Sequence, residues 1–252
     1  MLDWFRRLRK VSQKLSLPSR DSAAGRSQVQ LNPSKLTPRP QIYLSTLACL
    51  FDLVAETLED QGKLAPSSTL EKAQLVVADE YRSRHKELST MIAKLGDDLI
   101  DLEQSSEERL NVLFERTAGA NWFENVMQLY LVVGMLEDSA RRVSKGLSPA
   151  RRLRVEEMLS DSSLEKFAKK TLEAHIAEAE SNGAVLAMFG RAIIADALLE
   201  VRDSVNLSNL VTFEPGTDKT HRSREEFKAL EPFTSELIAN HAIRMDYLGL
   251  TA

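Results

Sequence analysis

The chain has 252 residues, of which 43% are hydrophobic and 28% are charged, and its formal net charge at pH 7 is −4. Because Cys49 is the only cysteine, an internal disulfide is excluded, and a buried structural thiol in a reducing compartment is the simplest interpretation. No secretory signal pattern or membrane-spanning stretch is visible in the sequence, so a cytoplasmic location is predicted.

The first forty residues are basic, with nine Lys and Arg against two Asp, so residues 41–252 carry about −11. Residues 1–15 form a predicted basic amphipathic segment. This pattern favours contact with an anionic membrane or with nucleic acid, but it also fits a short helix docked on its own bundle, or a frayed tail. Residues 16–40 contain four prolines and several serines and are predicted to be a flexible linker. On the amphipathic segment the apolar face is Trp4, Phe5, Leu8, Val11 and Leu15, and the surrounding cations are Arg6, Arg7, Arg9, Lys10 and Lys14.

Long stretches without proline and with apolar residues at helical spacing predict that the rest of the chain is helical. A Ser162–Glu165 capping box is expected within the fourth helix, and Ser181–Gly183 is expected to end it. A C-terminal helix is expected to be kinked or split at Pro232. The predicted helices cover residues 41–61, 68–95, a short helix within 97–119, 121–146, 149–180 with a break near 160–163, 184–204 and, after a loop at 206–221, 222–247.

The predicted fold is an all-α antiparallel four-helix bundle over residues 41–205, with an additional central fifth helix. The helices over 121–146 and 184–204 are apolar on nearly all sides, which is typical of buried, central helices. Residues 206–252 are expected to form a loop and a C-terminal helix that packs on the bundle.

Four stretches of the sequence resemble motifs of a known family. They are Gly119–Glu124 (Gly-Ala-Asn-Trp-Phe-Glu), Tyr130–Asp138, Ala187–Arg191 and the ending Arg244–Ala252. They are similar to motifs of an actinobacterial ferritin-like family, which is grouped with relatives of the bacterial tRNA 2-methylthio-isopentenyl-adenosine hydroxylase, a di-iron monooxygenase. The resemblance covers roughly residues 41–252 and implies a ferritin-like bundle, with iron as a possible cofactor and tRNA as a possible partner.

A ferritin-like di-iron centre takes one carboxylate from each of two helices and a Glu-x-x-His pair from each of two others. Asp52 is the natural first carboxylate, and Glu137 or Asp138 is the natural one on the third predicted helix. The paired motifs are incomplete. Glu80 is followed three residues later by Ser83, and Asp161 is followed three residues later by Leu164, where the family has a histidine.

Histidines are also few, since only His85, His175, His221 and His241 exist, and only His85 lies near the expected centre. The remnant ligand positions are therefore predicted to be Asp52, Glu80, His85, Asp138 and Asp161. Each of these also has an ordinary structural interpretation as a hydrogen-bonded or ion-paired side chain. Arg82 is expected to pair with a buried carboxylate and to supply the positive charge of a lost metal.

Two basic runs, Arg141-Arg142 and Arg151–Arg154, flank the turn between the third and fourth predicted helices. They indicate either contact with RNA phosphates or a solvated basic turn. The sequence contains no glycine-rich phosphate loop, Gly-x-Ser-x-Gly, Cys-x-x-Cys or His-Glu-x-x-His motif.

Three functions follow from these patterns. The first is a non-catalytic interaction or scaffold protein with a degenerate metal site, acting through a protein partner or as a homo-oligomer. The second is an active di-iron monooxygenase that hydroxylates a modified tRNA nucleoside. The third is a membrane- or nucleic-acid-associated protein acting through the basic N-terminal segment.

Overall fold

A computed structural model describes residues 31–95, 100–209 and 218–252. The predicted basic segment 1–15 and residues 16–30 of the predicted linker lie outside these ranges. Across the described residues the secondary structure is entirely helical, which confirms the predicted all-α class.

Eight helices account for most of the described chain. Helix α4 is built from three consecutive stretches, of which the middle one is π-helical. The bounds are α1 Pro40–Gly62, α2 Ser68–Ala93, α3 Ile100–Arg116, α4 Trp122–Gln128 with Leu129–Val133 and Gly134–Val143, α5 Pro149–Ser160, α6 Ser163–Glu178, α7 Glu180–Ser204 and α8 Lys219–Tyr247, with 3₁₀ turns at Pro33–Leu36, Ser144–Gly146 and Leu207–Asn209.

Helices α1 and α2 form an antiparallel hairpin. Ser67 caps the start of α2 by accepting a hydrogen bond from the Leu70 backbone N–H. Further along α2, Gln74 donates to the carbonyl of Leu58 at 2.8 Å, and His85 lies 3.0 Å from the carbonyl of Ala48. As the residue numbers rise on α2 they fall on α1, so the two helices run in opposite directions.

Helix α4 lies in the middle of the bundle, as predicted for the third helix. All five residues of its π-helical stretch, Leu129–Val133, are buried. Helix α7 differs from the prediction, because only one of its faces is buried. Val185, Met188 and Leu199 on its other face are all exposed.

Several predicted boundaries were wrong for local physical reasons. Helix α3 spans 17 residues, whereas a loop with a short helix was predicted for 97–119. The break before α7 occurs at Ala179, whose backbone is extended, so Gly183 lies inside the helix. The Ser162 capping box does not form, since the Asp161 side chain accepts the Ser163 N–H at 2.8 Å. Pro232 lies inside α8 without ending it.

The described part of the predicted linker packs on the bundle. Leu36 is completely buried, and its carbonyl accepts the Asn206 N–H at 2.8 Å. The Thr37 hydroxyl donates to the carbonyl of Val143 at 2.6 Å. Residues 31–39 therefore belong to the folded body, whereas a flexible linker was expected through residue 40.

Helix α1 is long and apolar enough to cross a membrane by length and composition, and it alone is so among the described helices. More than half of its most apolar window is buried inside the fold. Burial of this kind is typical of a core helix in a soluble protein, and the observation is consistent with one.

Candidate functional site

A buried arginine occupies the space between α2, α4 and the start of α6. The side chain of Arg84 is only 7% exposed. Its Nη2 lies 2.6 Å from Asp161 Oδ2, and its Nη1 lies 3.6 Å from Glu137 Oε1. The guanidinium also lies over the ring of Tyr81, with its Cζ 4.4 Å from the ring centroid. One cation thus joins carboxylates from two other parts of the bundle.

Glu137 is held by a neutral donor as well as by this cation. The Tyr81 hydroxyl donates a hydrogen bond to Glu137 Oε1 at 2.7 Å. Burial raises the pKa of Glu137, although the Tyr81 hydrogen bond and the charge of Arg84 act in the opposite direction.

Burial also opposes the ionisation of Asp161. The Ser163 N–H and Arg84 outweigh that effect, and the net result lowers the pKa of Asp161. Ion pairs and hydrogen bonds thus stabilise one carboxylate in its charged form, whereas burial disfavours the charge of the other.

Asp138, the next residue on α4, is bound by a different set of groups. Arg244 of α8 lies 2.8 Å from its Oδ2, and Arg141 lies 3.3 Å from its Oδ1. The side-chain amide of Asn240 donates to Oδ2 at 3.0 Å. Both oxygens of the Asp138 carboxylate therefore have positively charged or hydrogen-bonding partners within the protein.

These contacts belong to a polar ladder between the antiparallel helices α4 and α8. Its rungs recur every four residues on both helices, so each helix contributes one continuous polar edge. The rungs are Arg142 with Glu236, Asp138 with Asn240, and the Gly134 carbonyl with Arg244 at 3.2 Å.

A cavity of about 120 Å³ lies beside this network. Its lining includes Tyr130, which lies within the π-helical stretch of α4, and Gly134, which follows that stretch, together with Glu137, Asp161 and Arg244. π-Helical segments inside α-helices are frequent at functional sites. This cavity and its charged lining form the candidate site.

Asp52 and His85 lie elsewhere, in a cleft of about 330 Å³ between α1, α2 and α3. Asp52 is ion-paired with Arg82, which also binds Glu59 at 2.9 Å. These three side chains are 36–40% exposed, so the expected pairing of Arg82 forms near the surface and not with a buried carboxylate. His85 forms a hydrogen bond through its Nδ1 with the carbonyl of Ala48 at 3.0 Å.

The five predicted ligand positions therefore fall into two groups. Residues two positions apart on a helix point about 200° apart, so Arg82 and Arg84 serve opposite sides of α2. Glu80 lies one turn before Arg84; it reaches Asp161, and its Oε2 is buried without a hydrogen-bond partner among the described residues. No group of three His, Cys, Asp or Glu side chains in the described ranges is arranged to hold a metal ion.

The sequence interpretation missed Arg84, the residue at the centre of the network. Val77, Tyr81 and Leu88 recur at helical spacing in the sequence and form a buried apolar face of α2. Arg84 lies on the same face, three residues after Tyr81 and four before Leu88. A charged residue at a core position of an amphipathic helix was the signal that could have identified it.

The basic runs near the turn between α4 and α5 are largely neutralised. Arg142 pairs with Glu236, Arg152 lies 3.8 Å from Glu156, and Arg154 lies 2.5 Å from Glu87. Arginines of both runs thus have carboxylate partners, and contact of these runs with RNA phosphates stays a prediction.

Comparison with models of protein families matches residues 44–212 to the ferritin-like domain of actinomycetes. The match spans helices α1 to α7 and includes both the Arg84 network and the cleft beside Asp52. No curated protein matches the chain.

Proposed function

The chain belongs to the ferritin-like domain family of actinomycetes, and on that premise we propose that it is a non-catalytic member with an interaction or scaffold role. Its bundle centre contains a buried arginine, Arg84, between the carboxylates of Glu137 and Asp161. The proposal includes a cytoplasmic location and a protein partner.

The observation that carries the proposal is the position of Arg84. The guanidinium of Arg84 binds Asp161 Oδ2 at 2.6 Å, and at 3.6 Å from Glu137 Oε1 it adds a positive charge that repels a metal ion. It is fixed there by burial and by the ring of Tyr81. The residues present therefore do not fit a di-iron centre.

The remaining predicted ligands support the same conclusion. Asp138 is bound by Arg244 and Arg141, and Asp52 is bound by Arg82. His85 lies with Asp52 on the other side of α2, away from Glu137 and Asp161. A di-iron centre needs carboxylates and imidazoles that converge on one space.

The first test is elemental analysis of the full chain, expressed with added iron and purified without a metal-binding tag. We expect well under one iron per chain. About two irons per chain, lost on replacing Asp138 by Ala, would overturn the proposal.

A second test asks whether Arg84 itself excludes cations. The Arg84→Ala variant leaves Glu137 and Asp161 without their shared cation and opens space beside them, one helical turn from Glu80. We expect Mn²⁺ or Fe²⁺ to raise its melting temperature by several degrees while leaving the wild type unchanged. Arg82→Ala is the matched control, because it removes an arginine two residues away whose partners are at the surface.

The alternative function is an active oxygen-dependent hydroxylase of a modified tRNA nucleoside. The π-helical stretch beside a polar cavity and the raised pKa of Glu137 favour it, because both features concentrate at functional sites. Iron in the wild type, together with altered tRNA nucleosides in a deletion strain, would support this alternative. The third function depends on residues 1–15, which lie outside the described ranges, and stays a prediction.

A further inference from the structure

The outward face of α7 carries an apolar ridge with regular spacing. Exposed residues recur alternately after three and four positions along the helix, which is the spacing of a coiled-coil seam. From its first to its last residue the ridge is about 21 Å long. Its members are Val185, Met188, Ala192, Ala195 and Leu199.

The C-terminal end of this ridge borders a groove. A depression of about 320 Å³ lies between α3 and α7, and its apolar lining includes Val112 and Leu199, which are 50% and 38% exposed. Arg116 pairs with Asp196 at 3.5 Å across the two helices and forms part of the groove wall. The groove therefore combines three apolar residues, Val112, Leu113 and Leu199, with charged residues from both helices.

The N-terminal half of the ridge carries a protruding side chain that fits such a recess. Met188 is 69% exposed, and its unbranched thioether adapts to irregular apolar gaps. It lies eleven residues, or about 16 Å, from Leu199. Between them, the small residues Ala192 and Ala195 let another helix approach closely.

We propose that the ridge binds a second copy of this chain, with the two α7 helices antiparallel about a two-fold axis between Ala192 and Ala195. In that arrangement the seam forms layers in which Met188 of each copy meets Leu199 of the other and enters the groove beside Val112. A second copy of the chain is thus the partner in the proposed interaction role. The inference rests on that proposed function, but the experiments below measure dimerisation and not metal content.

The size of the surface sets the expected strength. The exposed apolar area of the ridge and groove is on the order of a few hundred Å² per copy, below the ~800 Å² per partner of a stable interface. The dimer is therefore weak, with a dissociation constant between about 1 and 100 μM.

The first experiment is sedimentation velocity of the full chain from about 1 to 200 μM, a range chosen to bracket that constant. We expect a concentration-dependent dimer that Met188→Glu abolishes. Leu153→Glu is the matched control, since Leu153 is 66% exposed on α5 and should leave dimerisation unchanged. A monomer at every concentration, or equal weakening by both variants, overturns the proposal.

The second experiment tests the register, in a Cys49→Ser background. Met188→Cys and Leu199→Cys each place a thiol far from its own symmetry mate, so neither variant alone should form a disulfide dimer under mild oxidation. An equimolar mixture of the two should form one, because the sulfurs meet across the interface. Failure of the mixture to cross-link faster than either variant alone would rule out this geometry.

Discussion

Replacing Arg84 by Met removes the guanidinium while keeping most of the side-chain volume. Two carboxylates, Glu137 and Asp161, then lose their shared cation, and Glu137 is buried with a pKa already raised by burial. Removing one partner of a buried pair costs about 3–5 kcal/mol, because the other charge is left uncompensated. For a domain of this size that corresponds to a fall in melting temperature of roughly 6–20 °C.

The size of this loss should depend on pH in a defined direction. Without Arg84 the folded-state pKa of Glu137 rises further above its unfolded value. A group of that kind contributes stability below the unfolded pKa, and the contribution is lost as pH rises through the folded pKa. The deficit of the Arg84→Met variant should therefore be largest near pH 7–8 and shrink toward pH ~4.5, near the unfolded pKa of Glu.

Urea titrations of the wild type and the variant at several pH values measure this deficit directly. Arg82→Met is the matched control, and its half-exposed pairs should cost at most about 1 kcal/mol. A deficit for Arg84→Met no larger than that of the control, or one that grows as pH falls, would refute the reasoning about the buried pair.

Two further outcomes follow from the contacts of α8 with the rest of the fold. Gly134→Ala should lower the free energy of unfolding in urea titration by about 1–3 kcal/mol, because a Cβ there would lie 2.7 Å from Arg244 Nε. Gly183→Ala is the control and should cost nothing, because the nearest atom to its Cβ would be 3.5 Å away. Equal costs for the two variants would contradict this reasoning. Burial and Arg244 lower the pKa of His241, so the stability of the wild type should fall as pH drops from 7 to 5. His241→Gln should reduce this pH dependence of the melting temperature in circular-dichroism melts. An unchanged pH dependence in the variant would contradict this role of His241.

Much of the helical architecture could be predicted from the sequence, because proline spacing and apolar periodicity report local constraints. Proline-free stretches and apolar spacing correctly predicted α1 and α2, and the serines around 160–163 correctly predicted the break between α5 and α6. Gly183 was misleading, because glycine is tolerated inside a helix where a neighbour approaches. The extended backbone that ends α6 falls at Ala179, a residue with no turn signal of its own.

The candidate site could be predicted only in part, because its geometry depends on which side of a helix each residue faces. Glu80 and His85 are five residues apart on α2, and so point about 140° apart. No single space can take both, yet both were placed in one ligand set. The role of Arg84 followed from α4 and α6 packing beside it, which no local pattern in α2 reveals.

The π-helical stretch of α4 has a consequence for how the chain tolerates changes in length. A π-turn accommodates one residue more than an α-turn, and the bonds of Leu129–Val133 close around that extra residue. Deleting one of the five would let this turn relax to regular α geometry, and the rest of α4 would keep its direction, so Glu137 would still face Tyr81 and Arg84. The same deletion at Met135 has no extra residue to remove and would turn everything after it by about 100°. One backbone irregularity in the middle of α4 thus provides a place where a one-residue change in length leaves the polar contacts of its C-terminal half in phase.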